Sequence, residues 1–131
     1  MTTLRFDAHV EQGPDRVWAV LTDVHTIPQW FPAVREAHSD GVHRHLRTPE
    51  GTLQALVVTK DDELRRFQYR FAEGLPEPID FHLGTIDVLP DGDGSRVIYS
   101  QEILPESLAP LVERAVGAGI AGIARYFATH P

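Results

Sequence analysis

The feature that most constrains this chain is a change in its hydrophobic period. From Leu4 to Val10, the apolar residues Leu4, Phe6, Ala8 and Val10 alternate with Arg5, Asp7 and His9. That period of two reads as a half-buried strand. From Pro105 to Thr129 the period is 3.6, with Leu108, Leu111, Val112, Ala115, Val116, Gly119, Ile120, Ile123 and Phe127 on one helical stripe. Between them lie six further candidate strands: Val34–His38, Val42–Arg47, Thr52–Lys60, Leu64–Phe71, Ile79–Leu89 and Ser95–Leu104. They are separated by short turn clusters, among them Ser39-Asp40-Gly41, Pro49-Glu50-Gly51 and Asp91-Gly92-Asp93-Gly94. Connections this short select antiparallel hairpins over crossovers. A seven-stranded antiparallel sheet must bury one face, and the long apolar stripe is the natural cover.

Two smaller elements follow the first strand. Gly13-Pro14-Asp15 ends that strand and starts a helix carrying Val17, Trp18, Val20 and Leu21. Pro28 and Pro32 break the next apolar run into a short second helix and a bend. The Gln29-Trp30-Phe31-Pro32 run is too aromatic for a free loop, so it is expected to pack over or under another element. At the C-terminal helix, Ser107 is the expected N-cap and Pro110 falls early enough to be tolerated.

Composition excludes more than it assigns. A chain of 131 residues is one domain's worth, spanning 1–131. With no Cys there is no disulfide scaffold, thiolate metal site or thiol catalysis. A formal charge of −7 argues against broad binding to nucleic acid or to an anionic membrane. The longest uncharged apolar stretch, between Arg114 and Arg125, is ten residues, against the ~20 that span a bilayer. The start lacks a signal-peptide apolar region, so a soluble cytoplasmic protein is expected. No phosphate-binding glycine loop, GxSxG elbow or dinucleotide fingerprint occurs, and no cofactor is expected.

The order of elements and motifs resembles the Bet v 1-like superfamily, which includes START, polyketide cyclase/dehydrase and lipid-transport (SRPBCC) proteins. The resemblance rests on Gly13-Pro14-Asp15-Arg16-Val17-Trp18, Leu21-Thr22-Asp23 and Trp30-Phe31-Pro32. It continues through Gly41…Arg44, Tyr69…Gly74-Leu75-Pro76 and Gly92-Asp93-Gly94-Ser95-Arg96-Val97 into the terminal helix. It implies an α+β helix-grip fold, a curved seven-stranded antiparallel sheet wrapped around a long C-terminal helix. It also implies a cavity for a small hydrophobic ligand between sheet and helix, in a monomer or homodimer. Family members either carry such molecules or cyclise and dehydrate polyketides, so fold alone does not choose between binding and catalysis.

Strand alternation nominates the site. On the last strand the resemblance points Val97, Tyr99, Gln101 and Ile103 inward, with Tyr99 facing the cavity. Phe67, Tyr69 and Phe71 are expected inward because Arg66, Gln68 and Arg70 need water. Placing Asp87 outward turns His82, Gly84, Ile86 and Val88 inward, unless a bulge at Gly84 resets the register. Arg44 is expected inward with Val42 and Leu46, leaving His43, His45 and Arg47 outside. Gln54 stands near the position where related sequences carry an acidic residue, which removes a partner for Arg44. The candidate ligand contacts are therefore Trp30, Arg44, Gln54, Phe67, Tyr69, His82, Tyr99, Gln101, Val116, Gly119, Ile120 and Ile123. His82, with a Tyr, is the candidate for moving protons in an enzymatic reading.

Three further signals are weighed. Gly117, Gly119 and Gly122 each cost about 0.8–1 kcal/mol relative to Ala inside a helix, and something must offset that. They either widen the cavity or permit close packing against the sheet or a second subunit. His43 and His45 share a strand face at a metal-compatible spacing, but without Cys or a nearby carboxylate pattern they read as a solvated pair. Asp91, Asp93, Ser95 and Glu102 mimic calcium-loop positions, but Arg96 stands where that loop needs Gly. That segment reads as a hairpin turn, and no metal site is expected.

Overall fold

The computed structural model describes all 131 residues. Strand β1 (Thr2–Val10) is followed by helix α1 (Pro14–Thr22), a 3-10 turn (Val24–Thr26) and the short helix α2 (Ile27–Trp30). Six strands then follow: β2 (Glu36–Ser39), β3 (His43–Thr48), β4 (Gly51–Asp61), β5 (Arg66–Glu73), β6 (Phe81–Asp91) and β7 (Gly94–Leu104). A second 3-10 turn (Glu106–Leu108) leads into helix α3 (Ala109–Thr129). The strands form one antiparallel sheet in the order β1-β7-β6-β5-β4-β3-β2. Consecutive hairpins generate it, as the short turns require. The one long-range pairing brings β1 beside β7.

Alternation predicts the faces well. Along β1 burial alternates residue by residue, and along β7 Val97, Tyr99, Gln101 and Ile103 are all buried. On β6, His82, Gly84, Ile86 and Val88 face inward in one unbroken register against β7, with no bulge at Gly84. Asp87 lies outside, where Arg66 binds it with two hydrogen bonds of 2.8 and 3.0 Å. The irregularities of the sheet fall instead between β4 and β5, at Gln54/Ala55 and Val57/Thr59. The Asp91–Gly94 segment is the β6–β7 hairpin turn, as read from the sequence.

Helix α3 carries the core stripe Val112, Val116, Gly119, Ile120, Gly122, Ile123 and Phe127. By length and composition alone, Glu106–Thr129 is apolar enough to cross a membrane; here that stripe is the core of the fold. Leu111 is more than a third exposed and stands at the stripe's margin. Ser107 is not the N-cap: it lies within the 3-10 turn, and the helix begins after Leu108 without a side-chain cap. Pro110 does occupy the first turn. At the far end, the Gln12 amide donates to the carbonyls of Phe127 and His130, both at 2.7 Å. Those bonds satisfy orphan carbonyls at the helix terminus and fasten it to the end of β1.

The three glycines of α3 have different neighbours, and none opens onto empty space. A Cβ at Gly122 would overlap the backbone carbonyl of Trp30, and one at Gly119 would come within 2.8 Å of the Phe31 ring. One at Gly117 would meet Phe6 at an ordinary 3.6 Å. The glycines therefore let α2 and the aromatic run after it dock directly on α3. Gly119 and Gly122 do serve close packing rather than cavity widening, but their partner is the Trp30–Phe31 segment and not the sheet or a second subunit. The Trp30–Phe31 segment packs against another element as its composition demands.

Candidate functional site

The inner sheet face is covered by two unlike lids. α3 lies over the β1–β7 end, while Trp30 and Phe31 lie over the β3–β5 end. Beneath the second lid is a cavity of about 50 Å³. Leu21, Ile27, Trp30, Phe31 and Val34 line it from above; Leu46, Leu53, Ala55, Phe67, Phe71 and Ile86 line it from the sheet, with Tyr69, Tyr99 and Arg44. No residue of α3 reaches it. Thirteen of the 14 lining residues are hydrophobic, so the one charge, Arg44, stands out.

The lid is held by its own hydrogen bonds. Thr26 Oγ1 lies 2.6 and 2.8 Å from the carbonyls of Val20 and Asp23, which share its one hydrogen, and accepts from the Trp30 indole N–H at 3.2 Å. The Trp30 and Phe31 rings meet edge to face, with centroids 5.9 Å apart. Trp30 is buried, whereas Phe31 is only partly buried, with its ring seated on Gly119.

Arg44 sits opposite Ala55 on the β3–β4 ladder, on the inner face. Its Nη2 donates to the Thr22 carbonyl at 2.9 Å, and its guanidinium carbon lies 4.6 Å from the centre of the Phe67 ring. Burial lowers its pKa from the ordinary arginine value, offset by the field of Asp23 and Tyr69. It makes no salt bridge, so most of its five N–H groups remain free for another partner. Val42, expected inward beside it, is exposed in the turn before β3.

A chain of buried polar groups borders the cavity. His82 Nδ1 accepts the Phe71 backbone N–H at 3.0 Å, which fixes the hydrogen of the neutral ring on Nε2. Nε2 donates to Gln101 Oε1, and the Gln101 amide donates to the Tyr69 hydroxyl at 2.9 Å. The Tyr69 and Tyr99 hydroxyls are 2.6 Å apart. Burial lowers the His82 pKa to about 4, helped by the Arg70 charge and opposed by the bond to Gln101. Burial likewise raises Tyr69, with the bonds from Tyr99 and Gln101 and the field of Arg44 working against it. Tyr99 is pushed well above its ordinary value by burial and by Tyr69. The imidazole and both phenols are therefore neutral near pH 7. Phe71 stacks on the His82 ring, 4.3 Å between centres, and walls it off.

Of the residues nominated from sequence, Trp30, Arg44, Phe67, Tyr69 and Tyr99 come together around the cavity. His82 and Gln101 lie behind them, fully buried and bonded to each other. With both ring nitrogens taken, His82 presents no open atom for moving a proton. Gln54 is misplaced by the expectation: it pairs with His45, and its strand neighbours Leu53 and Ala55 line the cavity in its stead. Val116, Gly119, Ile120 and Ile123 are buried on α3, and none of them lines the cavity. His43 and His45 lie on the outer face; His45 bonds Asp40 at 2.8 Å and stacks on His38. No group of three or more His, Asp or Glu side chains is arranged to hold a metal ion.

The nominated set lacks several contributors. Phe31 was visible in the aromatic run, but its docking on Gly119 is a tertiary fact. Leu53 and Ala55 follow from the same alternation that excludes Gln54, once β4 is phased from Arg44 and Leu46. Gly84 matters because a Cβ there would overlap the Tyr69 ring. An isolated strand glycine signals such close approach.

Comparison with known proteins agrees with this architecture. Residues 1–129 match the family model described as polyketide cyclase / dehydrase and lipid transport. No curated protein matches the chain. Among solved structures, XoxI from Bacillus cereus is 22% identical, covering 99% of this chain and 98% of that one, with a TM-score of 0.88. One half of the di-domain ARO/CYC BexL from the BE-7585A biosynthetic pathway is also similar, at 18% identity, 96% and 46% coverage and a TM-score of 0.80. Ara h 8.0201 superposes at 14% identity, with 98% of each chain covered and a TM-score of 0.73. The fold is the helix-grip fold of Bet v 1-like proteins.

The chain belongs to the polyketide cyclase/dehydrase and lipid-transport family.

Proposed function

We propose, from that membership and from the cavity, that this protein binds a small hydrophobic molecule beneath the Trp30–Phe31 lid. The observation that carries the reading is the lining: thirteen hydrophobic residues and one arginine without a carboxylate partner. An apolar pocket with a few convergent polar groups is the usual form of a small-molecule site. The cavity of about 50 Å³ is far below the roughly 300–1,000 Å³ of typical ligand pockets. Entry of a two-ring ligand therefore requires the lid to lift.

Binding is favoured over proton-transfer chemistry by the titratable groups present. A general base works best with a pKa near the operating pH. The lining has no carboxylate and no imidazole, and burial keeps both tyrosines protonated. An aromatase/cyclase-type enzyme acting in the same cavity is the second reading, supported by the family and by the paired phenols. It would work through Tyr69, Tyr99 and Arg44 as donors to a substrate oxygen, with His82 confined to positioning.

The test is a thermal-shift and calorimetric titration with 2-ethylnaphthalene and 2-acetylnaphthalene. Binding to the folded state raises Tm with ligand concentration. Ala55→Val adds two methyl groups to the cavity wall, and is expected to remove that rise while the protein stays folded. An equal rise in the variant would place binding elsewhere.

A further inference from the structure

The buried polar chain has a direction, and following it leaves one tyrosine hydrogen over, beside the second N–H of the Gln101 amide. The Phe71 N–H points at His82 Nδ1, so Nε2 is the donor to Gln101 Oε1. The Gln101 amide must then present its NH₂ to Tyr69, whose oxygen is the acceptor at 2.9 Å. Tyr69 and Tyr99 share a single hydrogen bond of 2.6 Å and own two hydroxyl hydrogens between them. If Tyr69 donates, the Tyr99 hydrogen is free; if Tyr99 donates, the Tyr69 hydrogen is free. Neither hydroxyl has another protein acceptor within reach. Both residues are more than nine-tenths buried, and both line the cavity.

An unmatched donor in such a place costs about 1–3 kcal/mol unless something accepts from it. Accepting from it requires an oxygen or nitrogen lone pair inside the cavity. Arg44 adds unpaired N–H donors on the same lining and no acceptor. The polar groups open to the cavity are therefore biased toward giving hydrogen bonds.

We propose that the ligand is an apolar molecule carrying a carbonyl or carboxylate oxygen, and that this oxygen takes the hydrogen the Tyr69–Tyr99 pair cannot use internally. This rests on the cavity being the binding site. His82 and Gln101 are positioning residues: they orient the Gln101 amide so that the tyrosine pair faces the cavity with a donor to spare.

The experiment compares 2-acetylnaphthalene with 2-ethylnaphthalene, two ligands of nearly equal shape that differ in the acceptor, and includes 2-naphthoate for the anionic form. Affinities are measured for the wild type, Tyr99→Phe and the double variant Tyr69→Phe/Tyr99→Phe. Comparing ratios across variants cancels the different hydration of the free ligands. The acetyl-to-ethyl affinity ratio should fall about five- to tenfold in the double variant. It should persist in Tyr99→Phe, because Tyr69 then has its own hydrogen free. Retained affinity for 2-ethylnaphthalene shows that the double variant still forms the cavity. An unchanged ratio there would overturn the proposal while leaving the cavity reading intact. Failure of all three probes to bind the wild type would overturn the cavity reading itself. A second measurement needs only the wild type: the infrared carbonyl stretch of bound 2-acetylnaphthalene should lie below its value in alkane. A hydrocarbon-like frequency would contradict the donor. A marked preference for 2-naphthoate, lost in Arg44→Met, assigns the oxygen to a carboxylate; an absence of preference assigns it to a carbonyl.

Discussion

The two ends of one inner sheet face are closed in different ways. Over β1 and β7 the regular helix α3 buries a continuous apolar stripe. Over β3–β5 the cover is an irregular aromatic segment, Trp30–Phe31, and a cavity remains beneath it. Regular elements bring many side chains to a surface at fixed spacing, and interiors built from them pack to high density. A four-residue helix and a bend bring few. The space therefore follows the irregular lid, and the helix glycines serve the seam between the lids. At the border runs the chain from His82 to Tyr99, hydrogen-bonded in series from the core and with one tyrosine hydrogen unmatched at the cavity.

The contrast breaks most sharply at Gly122. An alanine there places a methyl against the Trp30 carbonyl, a rigid backbone atom. Overpacking of this kind costs about 3 kcal/mol, and a urea titration should show a lowered midpoint with little change in slope. A full-stability Gly122→Ala protein would mean the two lids are not in contact.

His82 gives the next largest effect. Its folded pKa of about 4 lies below the 6.5 expected in the unfolded chain, so the unfolded state binds more protons between those values. Stability from this group is present above pH 6.5 and is lost as the pH falls toward 4, on the order of 3 kcal/mol across the window. Urea unfolding at pH 7, 5.5 and 4.5 should show the loss, and His82→Asn should flatten its share. A pH-independent wild type would mean that the border chain is open to water.

Arg44 sharpens the cavity end. Arg44→Met keeps the length over Phe67 but removes the charge and the bond to Thr22. It should weaken 2-naphthoate about tenfold more than 2-ethylnaphthalene in calorimetry. Equal losses would make Arg44 a packing residue only. The smallest effect is at Gly117, where a Cβ would make an ordinary contact with Phe6. Gly117→Ala should gain up to about 1 kcal/mol from helix propensity, read as a higher Tm. The opposite signs at Gly117 and Gly122 separate glycines kept for contact from those that are not.

Much of this was legible in the residues. Period-two alternation located β1, the family resemblance oriented β7, and the charges of Arg66, Arg70 and Asp87 phased β5 and β6 correctly. The turn clusters gave the hairpin order, and Arg44 fell on the inner face as expected. What could not be read is which lid covers which end. Helical periodicity says that α3 buries Val116 and Ile120, but not that Phe31 stands between Gly119 and the cavity. Gln54 is expected inward with Arg44, although the phase of its own ladder puts Leu53 and Ala55 there. The inwardness of His82 was also legible. That its two nitrogens are spent on Phe71 and Gln101 depends on partners 11 and 19 residues away.

The most direct test of where ligand sits is methyl NMR of the wild-type protein titrated with 2-acetylnaphthalene. Shifts are predicted at Leu46, Leu53, Ala55 and Ile86, on the cavity wall, with Val112, Val116 and Ile123 of α3 nearly unmoved. Shifts centred on the α3 methyls, with the β3–β6 methyls silent, would contradict the division of the molecule into a core beneath α3 and a cavity beneath the Trp30–Phe31 lid.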